Sequence, residues 1–72
     1  MPTFTIISCA TAIIRAGGTP VLVDCNRDTW NMEASKIEDL INKNTKAIMV
    51  VHIYGLPVEM DTIMELSNKY NI

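Results

Sequence analysis

The stretch from Thr45 to Tyr54 has the clearest hydrophobic pattern in the chain. After Lys46 it is uniformly apolar as far as Val51, with two adjacent valines and no charge. Such a run is typical of a strand that is buried on both faces in the middle of a parallel sheet. Two polar-tipped rings, His52 and Tyr54, follow at its carboxyl end. Ligands bind at that end of the strands in open α/β sheets, so we expect these rings at a ligand-facing edge.

A second buried strand is predicted from Pro20 to Asp24. The segment is short and apolar, and two of its five residues, Val21 and Val23, are β-branched. Both properties favour a parallel strand. Gly17 and Gly18 precede it and are expected to end a helix by supplying the left-handed conformation.

Three segments carry apolar residues at the spacing of an amphipathic helix. They run from Ile6 to Ala16, from Ala34 to Asn42 and from Glu59 to Tyr70. Candidate capping residues, in chain order, are Thr5 or Ser8, Asn31 or Ser35, and Asn71.

The order helix, strand, helix, strand, helix predicts an α/β fold. It contains one βαβ crossover with an extra helix at each end and a short parallel sheet. Two strands are too few for a parallel sheet, whose faces must both be covered. We therefore expect residues 1–72, a single segment, to begin after one strand of a larger sheet and to stop before another.

Composition and charge limit the classes of partner that we expect for this chain. The chain of 72 residues is 49% hydrophobic, which is high for its length and favours a covering partner or a homodimer. A net charge of −2 with scattered basic residues argues against nucleic acid and membrane surfaces. No apolar run is long enough to span a bilayer and no signal peptide is recognisable, so we expect a cytoplasmic location.

Several short motifs occur along the whole chain in a distinctive order. They are Pro2-Thr3-Phe4-Thr5, Ala16 to Asp24, Asp28 to Met32, Thr45 to Ile48, and Val51 to Gly55 followed by Met60-Asp61. Together they closely resemble the DegT/DnrJ/EryC1/StrS family of pyridoxal-phosphate-dependent sugar aminotransferases.

The resemblance implies an internal fragment of the large domain of a fold type I aminotransferase. It places the family's phosphate-binding turn before Met1, the aspartate that pairs with the pyridine nitrogen after Ile72, and the Schiff-base lysine further on. We therefore expect no catalytic residue in this chain, and no covalent bond between the chain and pyridoxal phosphate. The chain's own lysines, Lys36, Lys43, Lys46 and Lys69, are assigned to solvent.

The candidate cofactor-binding residues are Phe4, Ile6, His52 and Tyr54. Many relatives carry an aromatic residue at the position of Ile6, where it stacks on the cofactor. An aliphatic residue there means that the cofactor is held differently or that the gene is decaying. Purely structural roles also stay open for these last two residues. His52 would then be a histidine whose hydrogen bonds are satisfied within the fold, and Tyr54 an edge ring packed on the next helix.

Other chemistry finds little support in the sequence. We predict that the ring of Trp30 packs over the end of the core and does not recognise a ligand. No metal site is indicated, because Cys9 and Cys25 stand apart from each other and from His52.

The resemblance implies a fragment of an enzyme that moves an amino group from an amino acid, expected to be glutamate, to a keto sugar nucleotide. Such products serve surface polysaccharide or antibiotic sugar synthesis. The fragment is expected to be inactive alone. Two alternatives stay open: a non-catalytic module that self-associates or binds a partner through its sheet edges, and a small independent α/β binding domain.

Overall fold

Two of the three predicted helices form. The computed structural model describes all 72 residues, and α1 spans Ser8–Arg15 while α2 spans Met60–Tyr70. Neither helix is long and apolar enough to cross a membrane. Asn71 ends α2 in the left-handed conformation, with φ 55°, which confirms its predicted role as a cap.

The glycine pair ends α1 as predicted. Gly17 has φ 84°, its N–H donates to the carbonyl of Ile14 at 3.0 Å, and the Gly18 N–H donates to the carbonyl of Ile13 at 2.9 Å. This pair of bonds is the Schellman motif, which satisfies two carbonyls at the helix end. The N-terminal caps predicted for α1 are wrong, because Ile7 occupies the cap position and no side chain bonds there.

The predicted helix from Ala34 to Asn42 is wrong. Two 3₁₀ turns form instead, Ala34–Lys36 and Glu38–Leu40, and neither has a side-chain cap. The 3₁₀ geometry has three residues per turn, so it aligns Ala34 with Ile37, and both side chains are buried.

The short parallel sheet is not confirmed. Val23 pairs in parallel with Pro2, as an isolated bridge flanked by two backbone hydrogen bonds. Residues 46–51, the middle of the predicted central strand, make no backbone–backbone hydrogen bond at all, and residues 48–51 are only half-buried. The apolar run marks a segment suited to two neighbours, but within these 72 residues its backbone has none. The predicted βαβ crossover is therefore present only as a chain path.

The core is small and lies between α2, the two 3₁₀ turns and the extended segments. It contains Val23, Met32, Ala34, Ile37, Val58, Ile63 and Leu66. The side chains of Ile41, Ile48, Val50 and Met60 pack against it. Leu66 of α2 is buried, whereas Met64 is 50% exposed. Helix α1 contributes no buried residue.

One exposed cluster joins the second 3₁₀ turn to α2. Glu38 Oε1 accepts hydrogen bonds from Lys69 Nζ at 2.5 Å and from the Tyr70 hydroxyl at 2.7 Å. These bonds, with the charge of Lys69, hold the pKa of Glu38 below its usual value. The bond to Glu38 and its charge likewise raise the pKa of Lys69.

The glycine stop is tested by replacing Gly17. Gly17→Ala should lower the free energy of unfolding by about 1–2 kcal/mol, because an L side chain is strained in the left-handed conformation. Gly17→Asn is the matched variant and should recover much of the loss, since asparagine tolerates that conformation. Urea denaturation followed by circular dichroism measures both. Equal losses in the two variants would contradict the role of backbone conformation.

The cluster at Glu38 makes a prediction about acid stability. Because folding lowers the pKa of Glu38, its contribution is fully present above the unfolded pKa and is lost as the pH falls through the folded value. The variant Glu38→Gln should therefore flatten the loss of stability on the acid side of pH 4.5. Asp39→Asn, which neutralises the adjacent exposed acid, should keep the wild-type profile. Denaturant midpoints across the acid range distinguish them, and identical profiles for all three proteins would refute the prediction.

Candidate functional site

A tight turn from Asn26 to Asn31 presents the first part of the site. The side chain of Asn26 accepts hydrogen bonds from the backbone N–H groups of Asp28 at 2.8 Å and Thr29 at 3.1 Å. Asparagine favours such turns because its short amide side chain mimics a backbone carbonyl. The turn is closed at its base by an antiparallel bridge between Cys25 and Met32. Hydrogen bonds between neighbouring residues thus set the shape of this turn.

Trp30 leaves this turn in an unusual conformation. Its φ is 63°, a left-handed value that costs a bulky residue about 1–3 kcal/mol and that clusters at functional sites. The side chain is 53% exposed, so the prediction that it covers the end of the core is wrong. The ring lies against Phe4 instead, with centroids 5.2 Å apart and planes inclined by 49°. This separation is typical of a favourable aromatic pair.

The second part of the site is the turn Ile53–Gly55, directly after the apolar run. Tyr54 has φ 50° and Gly55 has φ 82°, so the chain reverses through two consecutive left-handed residues. Tyr54 is consequently 94% exposed and is not packed on α2 as an edge ring would be. The apolar run therefore ends in a projecting ring, and not in the packed edge ring that the sequence left open as an alternative.

The side chain of Asn31 connects the two turns. Its Nδ2 donates to the carbonyl of Leu56 at 2.9 Å and to that of Pro57 at 3.3 Å. Its Oδ1 accepts from the N–H of Ile53 at 3.0 Å. These three contacts hold the Ile53–Gly55 turn beside the turn that carries Trp30.

An apolar cavity of about 280 Å³ lies between the two turns. Its lining residues are Phe4, Thr29, Trp30, Ile53, Tyr54 and Leu56. The volume is slightly below the roughly 300–1,000 Å³ of typical small-molecule sites, which are mostly apolar and carry a few polar groups. The cavity has three aromatic walls, and the polar side-chain groups of its lining residues are the hydroxyls of Thr29 and Tyr54 and the indole N–H of Trp30.

The structure brings together two of the four residues predicted to bind the cofactor. Phe4 and Tyr54 both line the cavity. Ile6 is 66% exposed and is not part of the lining. His52 is exposed and also outside the lining, and its Nδ1 accepts a hydrogen bond from the N–H of Val58 at 3.1 Å. This bond places the ring proton of a neutral His52 on Nε2.

Sequence reasoning missed the remaining wall of the cavity and the residue that joins its parts. Trp30 was assigned to packing, and Asn31 was considered only as a helix cap. A tryptophan next to the Asn26–Thr29 turn signals an exposed ring, because turns lie at the surface. No local signal identifies Asn31, since its partners follow 22 to 26 residues later.

The cavity is lined by neither lysine nor arginine. All four lysines are exposed, as predicted. Lys36 lies 3.5 Å from Asp24, and Lys69 pairs with Glu38. The walls therefore fit the faces of a flat aromatic ring, while a phosphate or a covalent partner finds no cationic or amine group among them.

Comparison with known proteins places the whole chain in one family. Residues 1–72 match the model of the DegT/DnrJ/EryC1/StrS aminotransferase family. The GDP-perosamine synthase of Escherichia coli O157:H7 is 46% identical over 72 residues. A dTDP-3-amino-3,6-dideoxy-alpha-D-galactopyranose transaminase of Aneurinibacillus thermoaerophilus is 44% identical over the same length. In both comparisons all of this chain is covered, together with 20% of the relative.

A solved structure agrees with this match. The crystal structure of S. venezuelae DesV in complex with a ketimine intermediate superposes with a TM-score of 0.96 at 32% identity, over all of this chain and 19% of DesV. The fold is thus that of a segment of an aminotransferase. The chain belongs to the DegT/DnrJ/EryC1/StrS aminotransferase family, and it spans about one fifth of the length of the relatives it matches.

Proposed function

We propose that this chain forms one wall of the cofactor cleft of a pyridoxal-phosphate-dependent sugar aminotransferase. The observation that carries the proposal is the meeting of Phe4 and Tyr54, two predicted cofactor-binding residues 50 positions apart, in one aromatic-lined cavity. The family match over residues 1–72 supports the reaction class. Ile6 and His52 remain proposed contacts that act from outside this cavity.

The lining residues of the cavity support a specific role in cofactor binding. Aromatic and aliphatic walls can cover the face of the pyridine ring by dispersion and exclude water from it. Because no lysine or arginine lines the cavity, we propose that this chain covers the cofactor and forms no covalent bond to it. Pyridoxal phosphate, when bound, supplies the electron sink that amino transfer needs. We propose that this chain alone is inactive.

The substrates are proposed from the relatives. Their names describe a GDP-sugar synthase and a dTDP-sugar transaminase, which supports a keto sugar nucleotide as the amino acceptor. We propose an amino acid, glutamate, as the donor. The reaction would then supply amino sugars for surface polysaccharides or antibiotics.

The cofactor proposal is tested on the chain itself with pyridoxal phosphate. Trp30 is the only tryptophan, so its fluorescence reports on the cavity directly. We expect saturable quenching of this emission, weakened by Phe4→Ala, because the cofactor would contact both rings. Tyr70→Phe, which lies outside the cavity, should bind like wild type. Non-saturable quenching that matches free N-acetyltryptophanamide would refute the proposal.

The covalent part of the proposal has its own measurement. The same mixture is reduced with borohydride and the intact chain is weighed. We expect only sparse, distributed modification of the exposed lysines. A stoichiometric adduct on one lysine would contradict the view that the chain does not hold the cofactor covalently.

We also propose that the chain associates as a homodimer through α1. It exposes 5248 Å², whereas a compact monomer of its mass is expected to expose about 4,450 Å². The excess is close to the roughly 800 Å² that each partner buries in a standard interface. Helix α1 and the two residues before it offer the apolar surface, since Ile6, Ile7 and Ile14 are 61–78% exposed.

The dimer is tested by placing charge on this surface. Ile7→Lys combined with Ile14→Lys should yield monomers, because each lysine would have to be desolvated on association. Ala12→Lys adds the same charge at an exposed position on the opposite face of α1 and should leave the dimer intact. Multi-angle light scattering over a range of concentrations gives the mass. A wild-type monomer throughout would refute the proposal.

A further inference from the structure

We propose that Asn31 is a positioning residue that sets the shape of the aromatic cavity by holding its two turns together. The inference rests on the proposed function for the identity of the ligand, but its structural part stands independently. Asn31 does not line the cavity. It acts on the ligand through Trp30 and Tyr54.

The first observation is burial. Nine of the 72 residues are buried, and among them Asn31, at 5% exposure, is the one with a polar side chain. Burying an amide is costly unless its hydrogen bonds are replaced. A chain with so small a core keeps this amide inside, where it is fully paired.

The second observation is the pattern of bonds. Both N–H groups of the side chain donate, to the carbonyls of Leu56 and Pro57, and the side-chain oxygen accepts from the N–H of Ile53. The backbone N–H of Asn31 donates to Thr29 Oγ1 at 3.3 Å, and its carbonyl accepts from the N–H of Asn26 at 2.7 Å. Asn31 therefore bonds to its own turn through the backbone and to the other turn through the side chain.

The third observation is where these bonds lie relative to the strained residues. Trp30, with φ 63°, directly precedes Asn31, and Tyr54, with φ 50°, lies between Ile53 and Leu56. Left-handed conformations of bulky residues persist only where the surroundings over-determine them. The amide of Asn31 supplies that restraint, and thereby fixes the distance between the walls that carry the two rings.

The chemistry of the amide makes the role testable. An ionised aspartate has the same shape but no donor, so it would repel the carbonyls of Leu56 and Pro57. A protonated aspartate could again donate one hydrogen bond. The variant Asn31→Asp should therefore lose the cavity at neutral pH and recover part of it in acid. A merely space-filling role would show no such pH dependence.

The experiment measures Trp30 in wild type and in Asn31→Asp. Accessibility of the indole to acrylamide reports the position of the ring, and quenching by pyridoxal phosphate reports ligand binding. At about pH 8 we expect the variant to bind the cofactor roughly tenfold more weakly, the effect of losing about one buried hydrogen bond. Toward about pH 5, below a pKa raised by burial, the difference from wild type should shrink.

Asn42→Asp is the matched control. It makes the same chemical change in an exposed turn. There the side-chain oxygen of Asn42 accepts a hydrogen bond from the N–H of Asn44, and a carboxylate can accept the same bond. All three proteins share the titratable and charged groups on the two turns and beside them, which are Cys25, Arg27, Asp28, Glu33, His52 and Tyr54. The cofactor's own ionisation is also common to all three. A pH dependence seen only in Asn31→Asp therefore belongs to the introduced carboxyl.

The outcomes separate the two proposals. If wild type shows no saturable cofactor binding, the proposed function fails, while acrylamide accessibility still tests the positioning role. Unchanged Trp30 accessibility and cofactor affinity in a folded Asn31→Asp would overturn the inference. If that variant does not fold, hydrogen exchange on wild type decides, because the N–H of Ile53 should be protected by Asn31. Exchange at the rate of a free amide would overturn the inference.

Discussion

The amide of Asn31 is the interaction on which the ligand-facing part of this molecule depends. Elsewhere the core is made of seven apolar side chains, which can adjust to one another because dispersion contacts are not directional. The hydrogen bonds that one amide accepts from Ile53 and donates to Leu56 and Pro57 are directional. They relate two turns that are distant in sequence, so the cavity between those turns has a defined shape.

The rest of the structure shows what happens where such cross-links are scarce. Residues 46–51 have the composition of a central strand, yet no backbone bond joins them to a neighbour. Helix α1 has a well-formed glycine stop and an apolar face, but buries none of its side chains. Both elements have apolar surface that is not fully covered within one copy of the chain. Both elements stay partly exposed because few contacts join them to distant segments of the chain.

The backbone nevertheless follows the path of a larger enzyme. A TM-score of 0.96 to DesV at 32% identity is reached although the strand pairing consists of isolated bridges. Turns and caps explain much of this agreement, because Asn26, Gly17 and Asn71 direct the chain through bonds to their near neighbours. The resemblance of the short sequence motifs to this family agrees with the family match over residues 1–72.

The sequence by itself determined α1, α2 and the glycine stop, because each depends on residues within a few positions of one another. It also placed Phe4 and Tyr54 at the candidate site, through the family resemblance. Only the tertiary structure decided that Ala34–Leu40 forms two 3₁₀ turns, that Trp30 lies against Phe4, and that Asn31 joins the walls of the cavity. These outcomes depend on contacts between distant segments, and neither hydrophobic periodicity nor capping preference carries information about them.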